Sequence, residues 1–223
     1  MILRIGEAGV WVGANRDEMV DRAWDRPGEF WPGIVAGRDR LGGGTWLGVN
    51  RHGVVAAVLN RTGTLGPAAG KRSRGELALL ALARERAAGA VAALRGLDCG
   101  AYRSFNLVVA DAGGGFLLRG LEAGVPDVAA LEDGVTMITS GEPNDLASPR
   151  IARHLPKFAA AAFEDWGALL ADASGPWETA LNIPERNGFG TVCSSLIALP
   201  KGGVPVWRFA DAGFGFAAVP WWS

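Results

Sequence analysis

Cysteine and histidine are both scarce in this chain of 223 residues, which contains two of each. Cys99 and Cys193 are too few for a disulfide framework, and they lie in no metal-ligand spacing. His52 and His154 have no obvious serine or cysteine partner in the sequence, and no Gly-x-Ser-x-Gly motif occurs. These absences disfavour a disulfide-rich protein, a structural zinc site and a Ser–His–Asp hydrolase.

Excess charge and long apolar runs are absent as well. The 22 basic and 23 acidic residues give a net charge of −1, which offers no field for nucleic acid or for an anionic membrane. The longest apolar runs are about 10 residues, whereas a membrane-spanning helix needs roughly 20. The first residues lack the basic start and the long apolar stretch of a signal peptide. We therefore predict a cytoplasmic protein without a nucleic-acid partner or a membrane span; the sequence does not indicate its oligomeric state.

Apolar runs and turn signals predict strands that meet in hairpins. One hairpin is predicted over residues 45–63, with its turn at 50–53, and a second over residues 104–120. The segment 26–44 contains Pro27, Pro32 and three consecutive glycines, which predict a loop. Further strands are predicted at 1–12, 135–140, 191–199 and 204–212.

Helices are predicted in two separate blocks. The first covers about 74–95 and begins with Ser73 and Glu76 in the spacing of a capping box. The second follows Ser148 and Pro149, an N-cap with proline at the first helical position, and runs to about residue 173. Hairpin-linked strands and segregated helices favour an α+β fold, in which two mainly antiparallel sheets pack face to face with helices outside. No linker is evident, so we predict one domain over residues 1–223.

A dense group of charged residues follows the first predicted strand, in the stretch GANRDEMVDR at residues 13–22. A purely structural interpretation makes Arg16 and Asp17 a buried ion pair, but such pairs are costly to bury and are weak evidence of stability. We favour a pocket role for both side chains. Glu18 is expected to be a solvated or positioning charge.

Two glycine-containing stretches resemble phosphate loops without matching them. LGGGTWLG lacks the Gly-Lys-Ser/Thr ending and leads into a strand, and GKRS lacks a glycine at Leu65, the required earlier position. Lys71 and Arg72 nevertheless lie beside a predicted helix N-terminus, where an anion could bind.

Four motifs occur in order between residues 14 and 111: ANRDE, AGRDRLGGGTWLGVNRHGVVAAVLN, KRSRGEL and FNLVVAD. The set resembles the NRDE family, also called the transport-and-Golgi-organisation protein 2 family. This resemblance implies a fold related to the N-terminal-nucleophile hydrolases, a four-layer α-β-β-α sandwich of two mainly antiparallel sheets. The implied fold agrees with the order of strands and helices predicted from the residues.

The stretch GVNRHGVVAAVLN is also similar to a stretch in the bile-salt and penicillin amidases of that superfamily. The resemblance implies that Asn60 helps to hold the developing oxyanion and that Arg16 lies beside the nucleophile. The implied reaction is amide hydrolysis, in which an N-terminal cysteine attacks the carbonyl carbon and its own α-amine acts as the base. Because an α-amine titrates at about pH 7.7–8.0, it needs no histidine. Asp17 belongs to the charged group that would orient the amine.

The sequence departs from this pattern at the nucleophile. Family members usually begin Met-Cys, whereas residue 2 is Ile2 and no cysteine, serine or threonine precedes Thr45. Ser140 and Val192 also stand where the family pattern leads us to expect an asparagine and an arginine. One hypothesis is a true start upstream with Met-Cys-Thr; the other is a protein that keeps the fold and binds a ligand without hydrolysing it. Whether the protein is an enzyme stays open on the sequence alone.

The two hypotheses share a pocket and differ in its use. A hydrolase would act on an amide, or a thioester, of an apolar acyl group. A carrier would bind a small apolar or amphipathic ligand such as haem or an acyl lipid, although no haem motif is present. No cofactor other than haem as a ligand, and no metal, is predicted. The predicted pocket residues are Arg16, Asp17 and Asn60 for catalysis and Asn15, Glu18, Trp46 and Ser140 for binding, with Trp24, Trp31, Trp221 and Trp222 as candidates for lining an apolar cleft.

Overall fold

A computed structural model describes residues 1–220; the tryptophan pair Trp221-Trp222 and Ser223 lie outside the described residues. The chain divides into two compact units. The first comprises residues 1–22 and 133–219, and the second comprises residues 23–132 together with Pro220. The single domain predicted over residues 1–223 stays a prediction.

The described residues form 13 strands and four α-helices. The strands are β1 (Ile2–Gly6), β2 (Gly9–Met19), β3 (Trp24–Trp31), β4 (Ile34–Asp39), β5 (Leu47–Asn50), β6 (Val55–Asn60), β7 (Phe105–Asp111), β8 (Gly114–Gly120), β9 (Asp127–Leu131), β10 (Gly134–Met137), β11 (Phe189–Pro200), β12 (Val206–Asp211) and β13 (Ala217–Ala218). The helices are α1 (Gly75–Leu82), α2 (Ala87–Leu94), α3 (Pro149–Ala160) and α4 (Trp166–Leu170).

In the first unit, six strands form an antiparallel sheet in the order β10-β1-β2-β11-β12-β13. Strand β2 is a long interior strand, and its two neighbouring strands pair with different lengths of it. Strand β1 accompanies it only from Gly9 to Gly13, whereas β11 accompanies it from Gly9 to Met19. The second half of β2 is therefore held by β11 alone in the described pairing.

Helices α3 and α4 contribute the apolar core of this unit. Ser148 caps α3 by accepting the Ile151 N–H at 3.5 Å, and Pro149 begins the helix, so this predicted start is confirmed. Phe158 of α3 stacks edge-to-face on Trp166 of α4, with ring centroids 5.1 Å apart. The other buried members of the cluster are Ile2, Met137, Ile151, Leu170, Leu181 and Leu196.

In the second unit, seven strands form an antiparallel meander in the order β3-β4-β5-β6-β7-β8-β9. Apolar side chains of α1 and α2 pack with those of the central strands into one cluster that includes Leu77, Val91 and Phe105. The predicted hairpins at 45–63 and 104–120 are confirmed as β5–β6 and β7–β8. The α+β class and the two antiparallel sheets are therefore confirmed. Within residues 1–220, no helix combines the length and the apolar character that crossing a membrane requires.

The predicted loop at 26–44 is wrong, because it contains strand β4 and most of β3. Pro27 misled the prediction, since proline cannot donate to a strand ladder. Strand β3 is an edge strand, and its register with β4 shifts between Asp25 and Gly28, which accommodates the proline. The predicted strand at 1–12 is likewise a hairpin of β1 and the first part of β2, and the charged stretch continues β2 rather than following it.

The single helix predicted over 74–95 is two helices, and a polar side chain from elsewhere accounts for each side of the break. Asn50 Nδ2 donates to the Leu82 carbonyl at 2.8 Å and to the Arg84 carbonyl at 2.6 Å, which ends α1. Asp111 Oδ2 accepts the Ala87 N–H at 2.8 Å, which starts α2. The predicted capping box forms only in part: Ser73 Oγ accepts the Gly75 N–H at 3.3 Å, whereas the Glu76 carboxyl group binds Arg72 and Tyr102.

Candidate functional site

Strand β2 changes from apolar to polar after Gly13, and the alternation of a strand sends its polar side chains to two faces of the sheet. Gly13 turns toward α4, where a Cβ on this glycine would lie 3.0 Å from an indole carbon. Asn15 and Asp17 share that face with Gly13, whereas Arg16 and Glu18 belong to the opposite face. The four residues of the NRDE motif therefore lie in two different environments, one on each face of the sheet.

Both amide atoms of Asn15 are hydrogen-bonded within the first unit. Its Nδ2 donates to the Leu170 carbonyl at 3.0 Å and to the Leu181 carbonyl at 2.8 Å. Its Oδ1 accepts the Ser194 hydroxyl at 2.6 Å, and Ser194 lies directly opposite on β11. Asn15 thus joins the sheet to the end of α4 and to the segment after it, while its binding role stays a prediction.

Asp17 is held by a hydroxyl from the neighbouring strand. Thr191 lies directly opposite it on β11, and Thr191 Oγ1 donates to Asp17 Oδ1 at 2.6 Å while accepting the Ile183 N–H at 2.8 Å. Arg150, in the first turn of α3, places Nη1 3.9 Å from Asp17 Oδ2. Burial raises the pKa of Asp17 above its usual value, and the Thr191 hydrogen bond and the Arg150 charge both oppose that rise.

The α-amine of Met1 lies at the start of the same sheet. It donates to the Ile138 carbonyl at 2.9 Å, just beyond the end of β10, and the Ile138 N–H returns a bond of 2.9 Å to the Met1 carbonyl. Burial lowers the pKa of this amine to about 6, the negative charge of Asp17 raises it, and the positive charge of Arg150 lowers it. The amine, the carboxyl group and the guanidinium group therefore influence one another's charge and form one electrostatic group.

A β-bulge lies next to Asp17. The register of β2 with β11 shifts between Thr191 and Cys193, so Val192 is the extra residue, and Cys193 falls opposite Arg16. Bulges of this kind are frequent beside active sites, where they redirect side chains. Burial raises the pKa of the Cys193 thiol to about 12, so this cysteine is protonated at neutral pH and is a poor candidate nucleophile.

Arg16 and Glu18 form a separate charged group on the other face of β2. Arg16 Nη2 lies 3.7 Å from Glu18 Oε2, and Arg22 Nε lies 3.6 Å from the same oxygen. The Arg16 side chain is 7% exposed, so its charge is largely removed from water. The purely structural interpretation, an Arg16–Asp17 ion pair, is disfavoured because adjacent residues of a strand point to opposite faces, and Arg16 pairs with Glu18.

The sequence model described as "Transport and Golgi organisation 2" matches residues 11–164. The chain belongs to the Transport and Golgi organisation 2 family. The membership predicted from the four motifs is therefore confirmed. The matched range includes Asp17 and Arg150 and ends before Thr191.

Solved structures similar to this family member show the same fold. Penicillin V acylase from Agrobacterium tumefaciens is 16% identical with a TM-score of 0.55, and the match covers 95% of this chain and 82% of that chain. The Caenorhabditis elegans orthologue of N-acylethanolamine-hydrolysing acid amidase is 14% identical with a TM-score of 0.62, covering 88% and 91%. The N-terminal-nucleophile-hydrolase-like fold is therefore confirmed. No curated protein matches the chain.

The other predicted site residues lie away from the Asp17 group in sequence. Asn60 ends β6 and Trp46 precedes β5, both in the second unit, where a Cβ on Gly37 would lie 2.3 Å from the Trp46 ring. Trp46 also meets Trp24 edge-to-face at 5.7 Å. Ser140 follows Ile138, the partner of the Met1 amine, by two residues in the first unit. The roles of Asn60, Trp46 and Ser140 stay predictions.

Lys71 and Arg72, beside the helix N-terminus where an anion could bind, already bind protein groups. Lys71 Nζ donates to the Gly100 carbonyl at 2.7 Å, and Arg72 Nε lies 2.7 Å from Glu76 Oε1. Of the two histidines, His154 is buried and its Nε2 lies 2.8 Å from the Thr179 carbonyl. Residues 1–220 contain no group of three or more histidine, cysteine, aspartate or glutamate side chains placed to hold a metal ion.

Sequence reasoning missed Thr191 and Arg150. Thr191 is an ordinary strand residue in the sequence, and only its register opposite Asp17 gives it a role. Arg150 follows the predicted N-cap Ser148 by two residues, where an acidic side chain rather than a basic one favours the helix dipole. That unfavourable placement was a readable signal for a role outside the helix.

Proposed function

We propose that this family member hydrolyses an amide of an apolar acyl group, using a nucleophile at the N-terminal end of β1. The observation that supports the proposal is the environment at the N-terminal end of β1, where burial lowers the pKa of an α-amine on residue 1 to about 6 and the charges of Asp17 and Arg150 act on it. A cysteine that begins the mature chain here would bring its own α-amine into this environment. At neutral pH an amine with that pKa is mostly unprotonated and can accept a proton from a neighbouring thiol. An exposed α-amine, with a pKa of about 7.7–8.0, would be mostly protonated.

The names of the two similar proteins support the choice of an acyl amide as substrate. One is an acylase of penicillin V, and the other hydrolyses N-acylethanolamines. Their low identity shows the fold alone, so we transfer only the bond type, an amide between an acyl group and an amine.

In the proposed reaction, the thiol of the first residue gives its proton to the α-amine while its sulfur bonds to the substrate carbonyl carbon. The protonated amine then returns that proton to the leaving nitrogen as the C–N bond breaks, which leaves a thioester. Water, deprotonated by the same amine, cleaves the thioester and restores the thiol. Asp17 stabilises the amine in its protonated form, because its negative charge raises the pKa of the amine.

The strand register limits where the nucleophile can be placed. Met1 offers a thioether, so the proposal needs a cysteine at the start of β1 in the mature protein. Ile2 lies opposite Gly13, so residue 1 falls opposite Ala14, and residues added before it would run alongside Asn15–Asp17 if the register continued. A cysteine at residue 1 or shortly before it would therefore approach Asp17.

The first test is the N-terminal sequence and intact mass of the protein purified from the cells that make it. A mature chain that begins with cysteine supports the proposal. A mature chain that begins at Met1 or Ile2 contradicts the N-terminal-nucleophile reaction for this protein.

The second test supplies the nucleophile directly. Tag cleavage yields three chains that begin with cysteine: Met1→Cys, and chains with cysteine placed one or two residues before Met1. At least one is expected to hydrolyse penicillin V or a long-chain N-acylethanolamine, and Asp17→Asn in that chain is expected to abolish the activity. An alanine placed before the cysteine is the matched control, because it removes the free amine and keeps the thiol. If no folded cysteine chain is active, the proposal is contradicted, and ligand binding without hydrolysis becomes the better hypothesis.

A further inference from the structure

Arg150 is a cation whose hydrogen-bonding capacity is largely unused. A guanidinium group carries five N–H donors, whereas within residues 1–220 Arg150 makes one hydrogen bond, to the Trp177 carbonyl at 3.5 Å, and one ion pair of 3.9 Å with Asp17. Its Nε is buried and has no hydrogen-bond partner among the described residues. Buried donors in folded proteins are nearly always paired, so the unpartnered Nε is unusual. The two terminal nitrogens of the partly exposed guanidinium have only the long contacts to Trp177 and Asp17, which leaves them able to bind a ligand.

Two other arginines of the same unit show how a structural guanidinium is satisfied. Arg153, one turn further along α3, donates to the Ser174 carbonyl at 2.6 Å and to Thr179 Oγ1 at 2.9 Å, and it lies 3.5 Å from Asp172. Arg4 donates to the carbonyls of Phe158 at 2.6 Å and Ala161 at 2.8 Å, at the end of α3. Both arginines link two segments of the chain by hydrogen bonds of 2.6–2.9 Å, whereas the contacts of Arg150 are 3.5 and 3.9 Å long.

The position of Arg150 places its charge at the proposed reaction centre. The same guanidinium acts on Asp17 and on the α-amine of Met1, since its charge lowers the pKa of both groups. Its side chain is 20% exposed, so a ligand can reach it while most of it stays out of water. A group bound beside the amine would therefore lie close to the unused donors.

We propose that Arg150 binds a carboxylate carried by the ligand, so that the site takes an apolar chain ending in, or bearing, one carboxylate. This inference deepens the proposed function and rests on its site, although not on hydrolysis. A planar guanidinium matches a carboxylate with two parallel hydrogen bonds. A doubly charged phosphate would be less suitable, because Asp17 lies 3.9 Å from Arg150 and would repel it. The carboxylate belongs either to the amine half of an N-acyl amino acid or to the released acyl acid.

The test measures ligand affinity by calorimetry on the unaltered chain with N-decanoylglycine, decanoate and N-decanoylethanolamine. At least one carboxylate probe is expected to bind at least 10-fold more tightly than the neutral probe. Arg150→Gln is expected to weaken that probe by about 10- to 100-fold, the usual effect of losing a charge-assisted hydrogen bond, and to leave the neutral probe unchanged. Arg150→Lys keeps the positive charge but loses the two parallel N–H donors of the guanidinium group. Its affinity for the carboxylate probe is expected to lie between those of the wild-type protein and Arg150→Gln. Preference for N-decanoylglycine assigns the carboxylate to the amine half, and preference for decanoate assigns it to the acyl acid.

Lys157→Gln is the matched control, because it removes one positive charge from the same helix at a side chain paired with Asp172 at 3.1 Å. It is expected to leave all affinities unchanged, with folding of each variant confirmed by circular dichroism. Failure of both carboxylate probes to bind, or equal carboxylate affinity in folded Arg150→Gln and wild-type protein, overturns the inference. Carboxylate binding that depends on Arg150 upholds it even if every cysteine chain is inactive, so failure of the proposed reaction is distinguished from failure of this site.

Discussion

Thr191 donates a hydrogen bond of 2.6 Å to Asp17 from the position directly opposite it on β11, and the same hydroxyl accepts the Ile183 N–H at 2.8 Å. One side chain therefore links the acid of the candidate site to its neighbouring strand and to the segment that leads into β11. The β-bulge at Val192 begins at the next residue. The geometry of Asp17 thus depends on the pairing of β2 with β11.

Replacing Thr191 with valine tests this link. Thr191→Val keeps the branched shape but leaves Asp17 Oδ1 and the Ile183 N–H without their partner, so we expect the free energy of unfolding to fall by about 1–3 kcal/mol in urea titrations. In the wild-type protein the hydrogen bond from Thr191 lowers the pKa of Asp17, so its loss is expected to raise that pKa further. Thr191→Ser retains the hydroxyl and should lose less than Thr191→Val. Equal losses in the two variants would show that packing, rather than the hydrogen bond, accounts for the effect.

The titration of the α-amine should be measurable in a chain prepared with Met1 as its first residue. Nuclear magnetic resonance is expected to give a pKa of about 6 for this amine, against about 8 in the unfolded chain. Asp17→Asn should lower that value further and Arg150→Gln should raise it, since the two charges act in opposite directions. A pKa near 8 in the folded protein would contradict the burial of the amine.

The same amine makes stability depend on pH in a defined window. Its folded pKa lies below its unfolded pKa, so between pH 6 and 8 the unfolded chain binds more protons and stability rises with pH. The gain is at most about 3 kcal/mol for a shift of this size. Asp17 has the opposite effect on stability. Because its folded pKa lies above its unfolded pKa, the folded protein binds more protons between these two pKa values, and stability falls as the pH rises through that range. Urea midpoints from pH 5 to 9 check the first effect, and N-terminal acetylation, which removes the titration, should abolish it.

Asn15 offers a test of buried polar pairing. Asn15→Asp replaces a donor by an acceptor opposite the Leu170 and Leu181 carbonyls, so we expect a loss of about 2–4 kcal/mol at neutral pH. Lowering the pH should recover part of the loss, because a protonated carboxyl group can donate to one carbonyl. Ser194→Ala removes only the donor to Oδ1 and should cost less. A loss independent of pH would contradict this assignment of the Asn15 donors.

A pair of glycine substitutions tests the packing of the second unit. In Gly37→Ala the new Cβ would lie 2.3 Å from the Trp46 ring, so the ring must move, and we expect a loss of about 1–3 kcal/mol with a shift in tryptophan fluorescence. Gly89→Ala adds a methyl group with nothing within 4 Å in α2, and it should stabilise by about 0.5–1 kcal/mol. If Gly37→Ala is as stable as wild type, Trp46 is more mobile than its packing indicates.

Features made by neighbouring residues were predictable from the sequence, and features made by distant residues were not. The hairpins β5–β6 and β7–β8 and the Ser148 cap were predictable because their signals lie within a few neighbouring residues. The break between α1 and α2 was not predictable, because Asn50 and Asp111 make it from 32 and 24 residues away. The sequence predicted pocket roles for Arg16 and Asp17, which stay predictions, whereas their partners Glu18, Thr191 and Arg150 follow from strand faces and register.

The sequence by itself determined family membership, the α+β class and the two hairpins, since motifs and local periodicity suffice for these. Only the tertiary structure decided that the Met1 amine, Asp17, Thr191 and Arg150 form one electrostatic group, because their separations along the chain reach 174 residues between Asp17 and Thr191. Strand pairing brings such residues together, and burial then lowers the pKa of the amine and raises that of the acid. No local pattern specifies either the pairing register or the burial.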